Sequence, residues 1–124
     1  MALIFGGVNV DGKTKIYRTD PGGQYFSYKA VAIGMGDSYV NDFFEKNYRD
    51  DMSISEMIKL AIKAVFNSRV KGGEEKREDL VDNIHAMLEI SYISVEDRRF
   101  RKLSIDEVKK YVGEIRDELL SGGQ

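Results

Sequence analysis

The sequence predicts an α/β fold of the α+β type, with antiparallel strands first and helices layered against them. Two turn signals, Asp11 with Gly12 and Pro21 with two following glycines, separate three stretches rich in branched and aromatic residues. After Gly36 the spacing of apolar residues changes from two to about 3.6, the helical period. Further along, two Ser-x-x-Glu patterns are typical of helix starts.

The three predicted strands cover residues 2–10, 13–19 and 24–33. Asp11 and Gly12 can take the positive φ angles of a tight hairpin turn, so we expect the first two strands to pair. Asp20, Pro21 and Gly22 favour a second turn, because proline fixes its own φ angle at a value that suits a turn and glycine can adopt positive φ angles. The sequence therefore predicts a three-stranded antiparallel meander.

Two predicted helices follow, over residues 37–49 and 53–69. Ser53 and Glu56 fit a capping box, in which each side chain accepts a hydrogen bond from the other residue's main-chain N–H. Behind this start runs an apolar stripe with i, i+3, i+4 spacing, formed by Ile54, Met57, Ile58, Ala61, Ile62, Val65 and Phe66. This stripe predicts a helix that faces the core.

The rest of the chain is predicted as a charged loop, a hairpin and a final helix, over residues 70–83, 86–103 and 104–120. The loop combines a Gly-Gly break with a dense run of charges, which is typical of a solvated segment, and its acidic end allows a helical turn. Ser104 and Glu107 form a second capping box at the start of the final helix.

Composition excludes several classes of function and structure. A chain of 124 residues with 42% hydrophobic content has room for one domain, taken as residues 1–124. A net charge of −2 offers no general attraction for nucleic acid, and no apolar run is long enough to span a membrane. The sequence has no cysteine, which excludes disulfides and thiolate chemistry from its own residues and fits a cytoplasmic protein.

Candidate ligand sites are weak. Gly34 and Gly36 flank the predicted start of a helix and could present amides to an anion, but Asp37 would repel a phosphate there. We therefore interpret the two glycines as a structural turn, with Asp37 or Ser38 as N-cap. The only histidine, His85, is interpreted as a strand-entry residue. We expect no catalytic, cofactor or metal site.

Three segments carry a family resemblance: "TDPGGQYFSYKAVAIGMG", "FFEKNYRDDMSISEMIKLAIKAV" and "LEISYISVEDRRFRKLSIDEVKKYV". In this order they resemble the C-terminal half of an alpha-type subunit of the 20S proteasome, particularly of the archaeal kind, in the N-terminal-nucleophile hydrolase superfamily. The resemblance implies half of an αββα sandwich. It also implies a truncated chain, since the N-terminal half of such a subunit has no counterpart.

The resemblance implies a structural role in protein degradation, as part of the scaffold and gating ring of an intact particle with other alpha and beta subunits. Hydrolysis in this family uses an N-terminal threonine whose α-amino group is the general base. The sequence has only Thr14 and Thr19, and neither follows a glycine at which a precursor would be cut. We expect no peptidase activity. The alternative is a stand-alone, self-assembling module of unassigned function.

Half of a layered sandwich leaves apolar sheet residues such as Ile4, Val8, Ile16, Ala30 and Ala32, or their alternating neighbours, without a cover. We expect the chain to form a homo-oligomer, with a dimer favoured over a ring, because exposed strand edges and an apolar face invite a second copy. The expected interface residues come from the third strand and are Tyr25, Tyr28, Val31 and Ala32.

Overall fold

The computed structural model describes residues 2–73 and 75–122. Its elements in chain order are β1 (Ile4–Val8), β2 (Thr14–Thr19), β3 (Tyr25–Tyr28), α1 (Asp37–Asn47), α2 (Ile54–Lys71), α3 (Arg77–Met87), β4 (Ser91–Ile93), β5 (Phe100–Lys102), α4 (Ile105–Glu114) and α5 (Arg116–Ser121). Strands β1, β2 and β3 form one antiparallel sheet in that order, and β4 pairs with β5 in another. The predicted combination of antiparallel sheets with helices is confirmed.

The turns of the meander determine where its strands end. Asn9 donates its main-chain N–H to the Lys13 carbonyl at 2.8 Å and accepts one from Gly12 at 2.9 Å, so β1 ends before the predicted residues 9 and 10. Gly12 has a φ of 85°, which suits glycine at this turn. The register then pairs Phe5 with Tyr17 and Ile16 with Tyr28 across the three strands.

The third strand is shorter than predicted. It ends at Tyr28, so the strand prediction is wrong for residues 29–33. Ala32 donates its main-chain N–H to Asn41 Oδ1 at 2.8 Å, and its carbonyl accepts from Asn41 Nδ2 at 3.3 Å. The α1 side chain thus satisfies the main-chain groups of Ala32, so this residue forms no ladder bonds in the sheet.

Helix α2 is central to the helical part of the chain, because its two sides contribute to two cores. One side packs on α1 in a cluster of Val40, Phe43, Leu60 and Ala64. The other side packs on the C-terminal elements in a larger cluster of Ile58, Ile62, Phe66, Leu80, Val81, Ile84, Leu103, Val108, Val112, Ile115 and Leu119. The predicted apolar stripe supplies both buried residues and the exposed Met57, Ala61 and Val65.

The charged segment contains a helix of 11 residues where the sequence predicts a loop with at most one helical turn. Residues 70 and 71 belong to α2 and residues 77–83 to α3, so the loop prediction is wrong for them, and position 74 of that loop lies outside the described residues. Leu80, Val81 and Ile84 are buried against α4 and α5 at helical spacing, while the acidic Glu78 and Asp79 occupy the favourable first turn. A dense run of charges therefore covers the solvent face of an amphipathic helix.

The C-terminal boundaries also differ from prediction. Ala86 and Met87 end α3, so the hairpin begins later than residue 86 and pairs Ser91 with Lys102. The final helix is interrupted at Ile115, where φ is −113° and ψ is 14°, which divides residues 104–120 between α4 and α5. Ile115 stays buried at the break. The preceding Gly113 weakens the helix at this point, because glycine is a poor helix former.

Candidate functional site

The meander has two faces that the strand register defines. Paired residues on antiparallel strands share a face, and successive residues alternate between faces. The inner face carries Ile4, Val8, Thr14, Ile16, Arg18, Phe26 and Tyr28. The outer face carries Phe5, Gly7, Lys15, Tyr17, Thr19, Tyr25 and Ser27.

The inner face is the one that meets the helices. Arg18 Nη2 lies 3.6 Å from Asp37 Oδ2 at the start of α1. Tyr28 and Arg18 line a cavity of about 470 Å³ together with Phe44 from α1 and Tyr48, which follows the helix. An ion pair and a shared cavity therefore place α1 beside part of this face, while Phe26 and Ile4 on the same face expose 55% and 41% of their surface.

The outer face is largely uncovered. Phe5 and Tyr25 expose 55% and 68% of their surface. The rings of Tyr17 and Tyr25 meet edge to face with centroids 5.8 Å apart, so the aromatic residues of neighbouring strands form one continuous patch. Lys15 is the charged residue of this face, and it lies at the end of the sheet opposite Gly7. The outer face is thus an exposed apolar surface with a single positive charge at its rim.

The structure separates the four predicted interface residues. Tyr25 lies on the outer face, whereas Tyr28 lies on the inner face and lines the cavity. Val31 also lines the cavity, and Ala32 packs against the cluster that α1 shares with α2. Val31 and Ala32 therefore contact the chain's own α1 region and do not occupy opposite faces of a strand.

The predicted turn residues lie where the chain reverses or changes direction. Asp20 closes the turn by accepting at Oδ1 from Gln24 N at 3.0 Å and at its carbonyl from Gly23 N at 3.0 Å, with Pro21 and Gly22 between them. Gly23 has a φ of 90° in this turn, a left-handed backbone conformation that glycine adopts without steric strain.

Gly34 and Gly36 have φ angles of 104° and 80°. Gly36 is the N-cap of α1 and makes no side-chain cap, so the assignment of Asp37 or Ser38 as N-cap is wrong. Ser68 of α2 approaches Gly36 so closely that a Cβ atom there would collide with its hydroxyl. The glycine permits both the left-handed backbone and the contact between helices.

Both capping boxes are formed. Glu56 N–H donates to Ser53 Oγ at 3.2 Å, and Ser53 N–H donates to Glu56 Oε1 at 3.1 Å. The equivalent distances between Ser104 and Glu107 are 3.2 and 2.9 Å. The Ser53 main-chain N–H, with Arg49 Nη2 at 2.7 Å from the same carboxylate, lowers the pKa of Glu56. The Ser104 main-chain N–H likewise lowers the pKa of Glu107.

The single histidine does not lie at the start of a strand. His85 is in the last turn of α3, so its assignment as a strand-entry residue is wrong. It lines a small cavity of about 160 Å³ beside Asp82 and Arg116, which are joined by an ion pair of 2.9 Å. Among residues 2–73 and 75–122, no group of three or more histidine, aspartate or glutamate side chains could hold a metal ion. The expectation of no metal or cofactor stays a prediction.

None of the helices in the described part of the chain is both long enough and apolar enough to cross a membrane. The described surface therefore includes exposed apolar side chains on both faces of the meander and the exposed stripe of Met57, Ala61 and Val65 on α2. Both are suited to contacts with protein.

Comparison with known proteins identifies relatives of this chain. It is 48% identical over 120 residues to a protein of Aeropyrum pernix named proteasome subunit alpha, an alignment that covers 97% of this chain and 46% of the relative. It is 42% identical over 118 residues to the protein of the same name from Pyrococcus abyssi, with 95% and 40% coverage. It is 40% identical over 112 residues to the protein of the same name from Archaeoglobus fulgidus, an alignment that covers 90% of this chain and 41% of the relative.

The chain thus spans less than half the length of each of these relatives. The family model described as proteasome subunit matches residues 1–76, from the meander through α2 and the turn that follows it. Because this match covers more than half of the sequence, the chain belongs to the proteasome subunit family.

Proposed function

We propose that this chain has a structural, non-catalytic role as an alpha-type part of a proteasome, the protein-degrading complex for which the family is named. The observation that carries the proposal is the 48% identity, over 97% of the chain, to a protein named proteasome subunit alpha. In an intact particle its partners would be other alpha and beta subunits, and its role would be in the scaffold and gating ring.

The positions of the threonines support the absence of peptidase activity. An N-terminal threonine nucleophile needs its own free α-amino group as general base. Thr14 and Thr19 are the first and last residues of β2, where both nitrogens are peptide nitrogens. The Thr19 N–H donates to the Leu3 carbonyl at 2.9 Å, and its Oγ1 accepts from Leu3 N–H at 3.0 Å. Neither residue meets the chemical requirement.

Self-association is the second part of the proposal. None of the side chains of residues 2–28 is buried, although this segment is rich in apolar and aromatic residues. Large exposed apolar patches on sheets mark contact sites with other proteins. This observation favours a homo-oligomer, for which we propose a dimer rather than a ring, and it also suits the alternative of a stand-alone self-assembling module. A cytoplasmic location and the absence of nucleic-acid binding stay predictions.

Two measurements test the proposal. The purified chain, incubated with fluorogenic peptides, should release no more product than a buffer blank. Release that Thr14→Ala or Thr19→Ala abolishes would contradict the non-catalytic role, and the same two variants control for a contaminating peptidase.

Co-expression tests the structural role. A tagged chain expressed together with the alpha subunit of Aeropyrum pernix should co-purify with it. Separation of the two proteins, with both folded, would favour the stand-alone module over the proteasomal role.

A further inference from the structure

We propose that the hairpin of β4 and β5 carries a binding surface for an acidic segment of another protein. Arg98 and Arg99 would hold carboxylates of that segment, and Phe100 would contact an apolar residue between them. We name these three residues the hairpin surface. It lies in a different part of the molecule from the meander faces, and it depends neither on the self-association nor on the role proposed above.

The two arginines of the hairpin surface have no acidic partner of their own. Arg98 and Arg99 lie in the loop between β4 and β5, and both are exposed. Neither takes part in an ion pair within the described part of the chain, although the nearby Arg101 pairs with Asp97. A guanidinium group presents its N–H donors in a fork that fits a carboxylate. The loop therefore offers two adjacent forks to carboxylates from outside the chain.

Arg98 is held in a backbone conformation that suits glycine better. Its φ is 54°, and it is the one non-glycine residue among positions 2–73 and 75–122 with a positive φ. The loop fixes this conformation, because Arg98 N–H donates to the Ser94 carbonyl at 2.8 Å and Arg99 N–H donates to Asp97 Oδ1 at 3.1 Å. Residues in such sparsely populated conformations cluster at ligand-binding sites.

The Arg98 side chain reaches a second turn of the molecule. A Cβ atom at Gly12, in the turn between β1 and β2, would lie 3.3 Å from Arg98 Nη2. The guanidinium group thus lies beside a residue without a side chain, which leaves room for it. The same turn contributes Lys13, a further exposed cation that forms no ion pair with the described residues. Two turns far apart in sequence therefore bring basic side chains to one region of the surface.

Phe100 supplies the apolar part of the hairpin surface. The register pairs Ile93 with Phe100 and Tyr92 with Arg101, so Tyr92 and Phe100 lie on opposite faces of the hairpin. Tyr92 packs against the larger core, and Phe100 on the other face exposes 70% of its surface. Aromatic residues and arginine are the types enriched at protein interfaces and among their most important contacts. The hairpin surface has this composition.

An acidic protein segment fits the hairpin surface better than nucleic acid. Glu96 and Asp97 lie in the same loop and Asp11 lies in the neighbouring turn, so negative groups interrupt the cations. A nucleic acid carries a phosphate at every step and is bound by an extended row of cations, and the net charge of −2 gives no long-range attraction for a polyanion. Carboxylates of a peptide can instead lie singly opposite Arg98 and Arg99.

The first experiment measures binding of a defined peptide to the unmodified chain. The probe is fluorescein-labelled Gly-Glu-Glu-Leu-Glu-Glu-Gly, and the control peptide has glutamine in place of every glutamate. Fluorescence anisotropy should give a dissociation constant of about 10–300 µM for the acidic peptide, as expected of a small, transient contact, and at least about tenfold weaker binding for the control peptide. Equal binding of the two peptides, or no binding up to about 1 mM, overturns the proposal.

Paired charge variants locate the binding. Arg98→Gln combined with Arg99→Gln should raise the dissociation constant of the acidic peptide at least about fivefold. Lys109→Gln combined with Lys110→Gln is the matched control, because it removes the same charge from two adjacent exposed lysines of α4 and should change the constant less than about twofold. Equal effects of the two double variants would attribute the binding to net charge and overturn the proposal.

An uncharged pair of variants tests the apolar contact. Phe100→Ala should raise the dissociation constant at least about threefold without changing the charge of the chain. Met35→Ala is the control, since Met35 exposes 96% of its surface and does not belong to the hairpin. A constant that Phe100→Ala leaves unchanged overturns the part of the proposal that concerns Phe100.

Arg98→Gly separates binding from stability. Glycine adopts a φ of 54° without steric strain, so the variant should unfold at the same temperature as the parent or at a higher one. The same variant should bind the acidic peptide at least about threefold more weakly, because one guanidinium group is lost. Earlier unfolding with unchanged binding would show that Arg98 has only a structural role and would overturn its assignment.

NMR spectroscopy of the isotope-labelled parent chain decides the case without any substitution. Titration with the acidic peptide should shift the amide signals of residues 97–101 and Gly12 more than those of α4. Shifts confined to other residues overturn the assignment of the hairpin surface. A thymidine oligonucleotide of about ten nucleotides that shifts the same signals and binds more tightly than the peptide would overturn the acidic protein segment in favour of nucleic acid.

Discussion

Arg77 Nη1 on α3 donates to the side-chain oxygen of Asn67 on α2 at 2.7 Å and to the Leu119 carbonyl on α5 at 2.9 Å. Asn67 exposes only 2% of its surface, and the Arg77 guanidinium lies 5.9 Å from the centroid of the Phe66 ring. One side chain thus connects three helices around the larger core. A buried amide without its hydrogen-bond partner is costly, so this arginine has a structural role that its charge alone would not reveal.

Removing that side chain should destabilise the helical part of the chain. We expect Arg77→Ala to lower the free energy of unfolding by about 2–3 kcal/mol, because Asn67 Oδ1 and the Leu119 carbonyl both lose a donor. Urea denaturation measures this change. Arg116→Ala is the matched control, since its exposed ion pair with Asp82 should contribute less than about 1 kcal/mol. Equal losses in the two variants would contradict the role assigned to Arg77.

The serine caps are expected to matter individually. Ser53→Ala and Ser104→Ala should each cost about 0.5–2 kcal/mol in the free energy of unfolding, because each leaves a main-chain N–H at a helix start without its acceptor. Ser91→Ala is the control, because this serine is exposed on β4 and caps no helix. Comparable losses at all three positions, measured by urea denaturation, would show that the caps are not the cause.

Acid should weaken the same two helix starts. The pKa values of Glu56 and Glu107 are lowered in the folded chain by the capping N–H groups. Their contribution is therefore fully present above the unfolded pKa of about 4.3 and is lost as pH falls through the folded pKa. The free energy of unfolding should decrease from about pH 5 downwards.

A double variant isolates this effect. Glutamine can still accept the capping hydrogen bond but does not titrate, so E56Q combined with E107Q should reduce the acid dependence and largely keep stability at pH 7. Part of the dependence should remain, because the pKa values of Asp97 and Glu114 are also lowered in the folded chain. Glu45→Gln, an exposed change outside both caps, is the control. An unchanged pH profile in the double variant would place the acid sensitivity elsewhere.

Two apolar residues of α2, Phe66 and Met57, differ strongly in burial and should therefore differ in their contribution to stability. Phe66 is fully buried, so Phe66→Ala should cost about 3–5 kcal/mol through lost packing and a residual cavity. Met57 exposes 40% of its surface on the same helix, and Met57→Ala should cost less than about 1 kcal/mol. Thermal and urea unfolding provide the comparison. Similar losses at both positions would mean that the exposed stripe is covered in solution.

Local signals predicted most of the elements. These signals lie next to the elements that they start or separate, as the turn at Asp11 and Gly12 and the serine of each capping box show. A short window of sequence is therefore enough to predict where these strands and helices begin. The full length of helix α3 was not predicted, because its apolar residues Leu80, Val81 and Ile84 lie among charged residues in the sequence. These three residues are buried by packing against α4 and α5, which are distant in sequence. The early end of β3 depends on Asn41, which is nine residues away from Ala32.

The candidate site was predicted less well than the fold. The sequence predicts Val31 and Ala32 as interface residues of a long third strand, but these residues leave the sheet and contact the α1 region. Tyr25 was identified, whereas Phe5 and Tyr17 were not, because which face is uncovered depends on the side from which α1 approaches. Strand alternation alone cannot supply that choice.

The mass of the unmodified chain in solution tests the central claim most directly. Sedimentation equilibrium over about 1–100 µM should show a concentration-dependent species approaching twice the monomer mass of 14.1 kDa, because the uncovered meander is stabilised by contact with another copy. A single species of 14.1 kDa at every concentration, with the chain folded, would contradict the account.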